Sequence, residues 1–330
     1  KLSKVLIHNY FILPLVNNYL KKLSYLFGLM GVLSFFSCQK TYTYEDRIYQ
    51  TKNVIIIVMD GARYSETWGD TSHTYIPNIS NFIVPLSVVN TNFYNNDYTF
   101  TLPGHLAMLS GQNYNIDNGG AELPPFPTIL QYFNKAYPDK NSWLITSKDK
   151  LEVLTNTSQT NFNNIHLSHT DCGINGLGTG YREDSVTLYN SLTILDTTLS
   201  TLTLINFQQP DYIAHSNDLQ VYLEQITVIE NYIYQLFNFV QTNINYKNKT
   251  TIFIVNDHGR HDDLNGGFQN HGDSCEGCKH LMFFAFGPDF YQNKTINTPY
   301  ELIDIAPTVA ELLHFNIINS KGQVMGDLFK

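Results

Sequence analysis

Three apolar runs in this chain each lead into an aspartate, and that pattern restricts the fold more than any other feature. Residues 54–59 end at Asp60, residues 251–255 end shortly before Asp257, and residues 202–207 run on to Asp211. These runs are β-branched or aromatic and lack polar alternation, as strands covered on both faces should. Runs at 142–146 and 281–286 have the same character. Helical patterns at 105–109, 183–199, 218–240 and 300–313 alternate with them. The alternation predicts an α/β fold, a three-layer αβα sandwich with a mostly parallel central sheet. Pro307 inside the last pattern predicts a late helix start at that residue. No linker splits residues 53–330, so one domain is expected there. The glycine-rich stretch 173–180 lacks the Lys-Ser/Thr ending of a phosphate-binding P-loop and follows no clear strand, so it is expected to be a flexible loop.

Of 330 residues, 43% are hydrophobic and only 15% charged, which excludes a disordered chain. Lys plus Arg is 20 against 29 Asp plus Glu. That balance offers no basic surface for nucleic acid, beyond nucleotides as small substrates. Near the N-terminus, Lys21 and Lys22 precede an apolar run that closes on Phe-Phe-Ser-Cys at Cys38. A basic pair, such a run and small residues before a cysteine predict a secretory signal over residues 1–38, with 39–52 as a tether. The ending resembles a bacterial lipoprotein cleavage box, which implies an exported protein in the periplasm or cell envelope, lipid-anchored to the membrane at Cys38. A plain membrane anchor is the alternative, but the run is shorter than the ~20 apolar residues a span needs. The chain opens on Lys, and residues 5–16 are also apolar, so the true start is expected to lie elsewhere. Cleavage would leave Cys172, Cys275 and Cys278. The pair Cys275 and Cys278 is expected to form a disulfide in an oxidising compartment, ahead of a mixed site with His271 or His280.

In an open α/β sheet, ligands bind outside the carboxyl ends of the strands, so Asp60, Asp211 and Asp257 are expected to converge there. Asp211 and His215 stand four apart, which on a helical turn puts both on one face. His258 follows Asp257 directly, and further histidines lie at 261, 271 and 280. Carboxylates and imidazoles are apt zinc ligands. Thr101 precedes Leu-Pro-Gly-His105 at an expected helix start near Gly104, where free backbone N–H groups favour an anion. Its hydroxyl is a poor nucleophile until a metal activates it.

Together the ordered motifs Asp60-Gly61, Thr101-Leu-Pro-Gly-His105, Asp211-Tyr-Ile-Ala-His215, Asp257-His258-Gly259 and His271-Gly272 resemble the alkaline phosphatase superfamily. The likeness is greatest to its nucleotide pyrophosphatase/phosphodiesterase and phosphonoacetate hydrolase branches, and it spans roughly residues 53–315. The resemblance implies two divalent ions, zinc above all. One would be held by Asp211, His215 and His271, the other by Asp60, Asp257 and His258 with Thr101 bridging toward it. His271 is preferred as last ligand over His280 and His261. It also implies attack by Thr101 on a phosphate ester, most of all a phosphodiester, through a phosphothreonine intermediate, with the Leu102 backbone N–H as an oxyanion donor.

Two departures bear on the substrate. The Cys-x-Pro-x-Arg segment of type I sulfatases is replaced by Thr101 and His105, which disfavours formylglycine chemistry. Only residues 259–270 separate His258 from His271, so the cap of the vertebrate-type phosphodiesterases is missing and specificity is expected from residues 112–200. The competing readings are transfer of a phospho-headgroup to an envelope glycan, hydrolysis of phosphonate or sulfate esters, and a surface-binding relative without catalysis.

Overall fold

The computed structural model describes residues 41–42 and 47–330; the expected signal segment and Cys38 lie outside the described residues. All five expected strands form, with ends shifted by up to two residues. The main sheet comprises β1 (Asn53–Met59), β2 (Ser87–Asn90), β3 (Ser142–Thr146), β4 (His169–Cys172), β5 (Leu202–Phe207), β6 (Thr250–Val255), β7 (Phe283–Phe286) and β8 (Lys294–Ile296). Their order is β8-β2-β7-β6-β1-β5-β3-β4. Only β7 runs antiparallel to its neighbours β6 and β2; the remaining pairs are parallel. The strands that sequence reading passes over, β2, β4 and β8, are short, and β4 and β8 are polar edge strands without an apolar run.

Five helices cover the sheet: α1 (Thr101–Ser110), α2 (Ile129–Ala136), α3 (Asp184–Thr198), α4 (Leu219–Thr242) and α5 (Ile305–Leu313). Because strand side chains alternate in direction, the sheet divides the interior into two cores. Val54, Ile56, Val58, Leu144, Leu204, Phe253 and Val255 pack with residues of α1, α2 and α5. Ile55, Ile57, Met59, Ile145, Ile205, Ile252 and Ile254 pack with α3 and α4. In α4, Asp218 caps the first turn by accepting from Val221 N, and Tyr222, Ile226, Ile229, Ile233, Leu236, Phe237 and Val240 form its buried stripe. Each large aliphatic side chain buried this way contributes about 1.5–3 kcal/mol before entropy is counted.

Three local expectations change. Helix α1 begins at Thr101, three residues before Gly104, with Phe100 as its N-cap. Helix α5 starts at Ile305, and Pro307 falls inside its first turn, where an amide has no intrahelical partner to lose; Tyr300–Glu301 is a short strand. The 173–180 stretch is not a free loop: Gly173 N donates to Thr146 O (2.9 Å) and Gly180 N to Asp149 Oδ2 (2.8 Å), which tie it to the end of β3.

The register aligns the strand ends. Met59 lies opposite Phe207, Val58 opposite Val255 and Thr146 opposite Asn206. The chain therefore leaves β1, β3, β5 and β6 at one edge, delivering Asp60, Lys148, Asp211 and Asp257 there. At the other edge, where β1 begins, the Gln50 and Thr51 amides donate to Asp289 (2.9 and 2.8 Å). Among the described residues, no helix is long and apolar enough to cross a membrane.

Candidate metal centre

Asp60, Lys148, Asp257 and His258 are placed by backbone that has just left a strand. Asp60 follows β1, and Asp211 N donates to Asp60 O (3.1 Å), which fixes the turn Asp211–Ala214 beside it. Asp257 and His258 follow β6. Helix α1 packs its first turn onto this segment so closely that a Cβ on Gly104 would lie 2.4 Å from Asp257 O. Glycine at that position thus sets how near Thr101 comes to the acids. His105, one turn on, donates from Nδ1 to Thr101 O (2.8 Å) and lies 3.3 Å from Asp257 Oδ2. Asn206 links His105 Nε2 (3.2 Å) to Asp60 Oδ2 (3.0 Å).

The sequence-predicted residues come together. Asp211, His215 and His271 each offer a ligand atom within 4.8 Å of the others, as do Asp60, Asp211 and His258, and Asp60, His105 and Asp257. Thr101 Oγ1 stands 3.5 Å from His258 Nε2. The competitors for the last position are elsewhere: His280 stacks on Tyr64 and Tyr94, and His261 faces Asp273. The Leu102 N–H, expected to face substrate, donates instead to Asn118 Oδ1 (2.9 Å).

Lys148, Lys150, Arg260 and the amides Asn118 and Asn206 escape a reading limited to acids and histidines. Lys148 Nζ donates to Asp211 Oδ2 (2.7 Å), Asp60 Oδ1 (2.9 Å) and Thr101 Oγ1 (3.2 Å). Lys150 Nζ donates to Asn118 Oδ1 (3.3 Å). Arg260, fully buried, donates to Asp211 Oδ1 and to the carbonyls of Phe268 and Gln269. Their signal was positional: Lys148 and Lys150 follow β3 as Asp60 follows β1, and Arg260 continues Asp257-His258-Gly259.

Burial opposes the charge on Lys148, yet Asp211, Asp60 and Asp257 hold its ammonium above the ordinary lysine range. Burial likewise opposes ionisation of Asp211, but Lys148, His215 and Arg260 keep its carboxyl well below the usual range. Burial, reinforced by the neighbouring Lys148 charge, pushes Lys150 down to about 8. Burial also lowers His258 to about 3 and His271 to about 4, so both rings are neutral at ordinary pH.

Neutral rings in these positions fit a bound cation. His258 Nδ1 donates to Gly259 O (2.8 Å) and His271 Nδ1 to Thr99 O (2.9 Å). Each Nε2 therefore carries a lone pair. His258 Nε2 aims its lone pair at Asp60 Oδ1 and Asp257 Oδ2, 3.5 Å away in each case, and His271 Nε2 faces Asp211 Oδ1 at 3.4 Å. Lys148 already serves Asp60 Oδ1 and Arg260 serves Asp211 Oδ1, so the oxygen that lacks a donor is Asp257 Oδ2. Among the described residues no hydrogen bond reaches Asp257 Oδ2, although it is buried and the His105 and His258 rings are near. An orphaned buried carboxylate oxygen is costly, and a metal ligand set supplies its counter-charge.

The profile of the metalloenzyme superfamily matches residues 145–317, more than half of the chain. No curated protein matches. Among solved structures, the phosphonate monoester hydrolase of Agrobacterium radiobacter superposes with a TM-score of 0.62 at 11% identity, over 84% of this chain and 77% of its own. An alkaline phosphatase superfamily protein from Vibrio parahaemolyticus gives 0.64 at 12%, over 88% and 73%. A variant of the alkaline phosphatase PafA gives 0.65 at 10%, over 86% and 100%. At such identities the superpositions speak for the fold, and the profile match speaks for the family. With that match the chain belongs to the metalloenzyme superfamily, its buried Asp/His clusters suit metal ions, and its fold is alkaline phosphatase-like.

Proposed function

We propose that this protein is an exported, lipid-anchored hydrolase of phosphate esters that uses Thr101 as nucleophile. The observation that carries the reading is the setting of Thr101 Oγ1, in the first turn of α1, 3.2 Å from Lys148 Nζ and 3.5 Å from His258 Nε2. Asp211, His215 and His271 would hold one divalent ion and Asp60, Asp257 and His258 the other, with Thr101 facing the second. Oxygen and imidazole donors suit zinc. Such ions supply the Lewis acidity that activates a hydroxyl and neutralises phosphate charge. Thr101 forms the Oγ–P bond as the ester P–O bond breaks, and water then cleaves the phosphothreonine. Lys148, which donates to the Thr101 hydroxyl as well as to Asp60 and Asp211, places its positive charge beside the reacting oxygen. His105 holds Thr101 through its carbonyl.

The two lysines favour a phosphate monoester, which carries nearly two negative charges at neutral pH, over a singly charged diester. The PafA structure is of a variant altered at a threonine, an asparagine, and a lysine and arginine two positions apart. Thr101, Asn118, Lys148 and Lys150 offer a parallel set. The phosphodiester, first on the sequence alone and supported by the Thr101-Leu-Pro-Gly-His105 motif, becomes the second reading. Thr101→Ala should lower turnover of 4-nitrophenyl phosphate by on the order of 10⁴-fold or more, with the metal content of the wild type retained. Full activity in that variant would exclude the covalent route. Relative kcat/KM on 4-nitrophenyl phosphate and bis(4-nitrophenyl) phosphate decides between the two esters.

A further inference from the structure

A second cluster of metal-binding side chains lies on the loop after His258, and the reaction proposed above makes no use of it. His261, Asp273 and Cys278 each offer a ligand atom within 4.8 Å of the other two. His261 Nε2 is 3.2 Å from Asp273 Oδ2, and among the described residues it has no hydrogen bond despite being buried. Cys275 and Cys278 are free thiols, where sequence spacing predicts a disulfide. Both thiols donate to the Asp273 carboxylate, and Cys275 N donates to Asp273 Oδ1 (2.8 Å).

The backbone is built to bring these groups together. Gly259 N donates to Cys278 O (2.8 Å) and Arg260 N to Gly277 O (2.9 Å), so the segment leading to His261 lies against the segment between the cysteines. A Cβ on Gly277 would come within 2.5 Å of Arg260 O and 2.7 Å of Asp262 N. Only glycine between the two cysteines permits that approach, and the approach is what sets Cys278 beside His261.

We propose that His261, Asp273, Cys275 and Cys278 form a third metal site, structural in character, for a thiophilic divalent ion such as Zn²⁺. Two sulfurs, one imidazole and one carboxylate make a four-coordinate set with no open position, as structural zinc sites have. Binding replaces the thiol protons with metal–sulfur bonds and releases those protons to solvent. The ion would close residues 261–278 into a loop and so fix His271, which lies inside it. Its soft donors separate this site from the oxygen and nitrogen donors at the strand ends.

The test is cobalt substitution of the full chain, purified under reducing conditions. Thiolate ligation gives Co²⁺ an intense near-ultraviolet charge-transfer band that oxygen and nitrogen donors do not. The expected result is that band in the wild type, its loss in Cys275→Ser/Cys278→Ser, and one bound ion fewer per chain in that variant by elemental analysis. A cobalt-loaded wild type without the band overturns the site, as does recovery of Cys275 and Cys278 as a disulfide in metal-replete protein. The wild-type spectrum decides even if the variant fails to fold. Because the band reports sulfur alone, its absence leaves the proposed centre at the strand ends standing.

Discussion

The two sides of the candidate centre are built differently. On one side Asp60, Lys148, Asp257 and His258 leave the ends of β1, β3 and β6, and all four are buried. On the other side Asp211 and His215 sit on a one-turn helix, and His271 belongs to a loop without regular structure. The His215 side chain is 46% exposed. The first side follows directly on strands of the sheet. The second needs Arg260, whose guanidinium joins Asp211 to the carbonyls of Phe268 and Gln269, two residues before His271. The contrast teaches that the strand side is a preformed half and the loop side a half assembled by tertiary contacts.

The comparison is broken most directly at Lys148. Replacing it with Met leaves Asp60 and Asp211 buried without their shared cation, so the metal-free protein should lose about 3–5 kcal/mol in urea unfolding. Saturating Zn²⁺ should restore part of that, because an ion that binds only the folded state stabilises it. Equal stability of the variant and wild type without metal would show that this half is not held by charge. Arg260→Met should cost less, about 2–3 kcal/mol, since Asp211 keeps Lys148. It should also release one ion per chain by elemental analysis while the strand-side ion stays bound. Loss of both ions together would erase the distinction between the halves.

His215→Ala should change stability by no more than ~0.5 kcal/mol, as for other exposed positions, yet remove one bound ion. The smallest effect concerns Lys150. With its pKa depressed to about 8 by burial and by Lys148, it is charged below that pH and neutral above. kcat/KM for a phosphate monoester should therefore fall a few-fold as pH rises through about 8. Lys150→Arg stays protonated and should flatten that limb of the profile. A limb unchanged by the substitution would separate Lys150 from substrate binding.

The same division governs what could be read in the sequence. Central strands were legible because strands covered on both faces are continuous apolar runs, and their ends located Asp60, Asp211 and Asp257. Edge strands such as β4, with the sequence His-Thr-Asp-Cys, bury little and leave no such trace. His215 and His271 were found through ordered motifs, and His258 through its adjacency to Asp257. Lys148, Lys150, Asn118 and Arg260 were not, because a basic or amide residue near a strand end is ordinarily a solvated one. Only the fold reveals that these enter a carboxylate cluster. The cysteine pair shows the converse limit: its spacing suits a disulfide or a metal equally, and the nearby His261 and Asp273 become visible only once the loop is folded.

The direction in which β1 crosses the domain has one more consequence. The polypeptide enters at the rim pinned by Asp289 and then runs the seven residues of β1 to Asp60, a crossing of about 23 Å at 3.3 Å per residue. Gln50 and Thr51 thus lie at the rim remote from Thr101. A small molecule bound among Asp60, Asp211 and Asp257 would therefore enter from the opposite rim, the one where β1 ends.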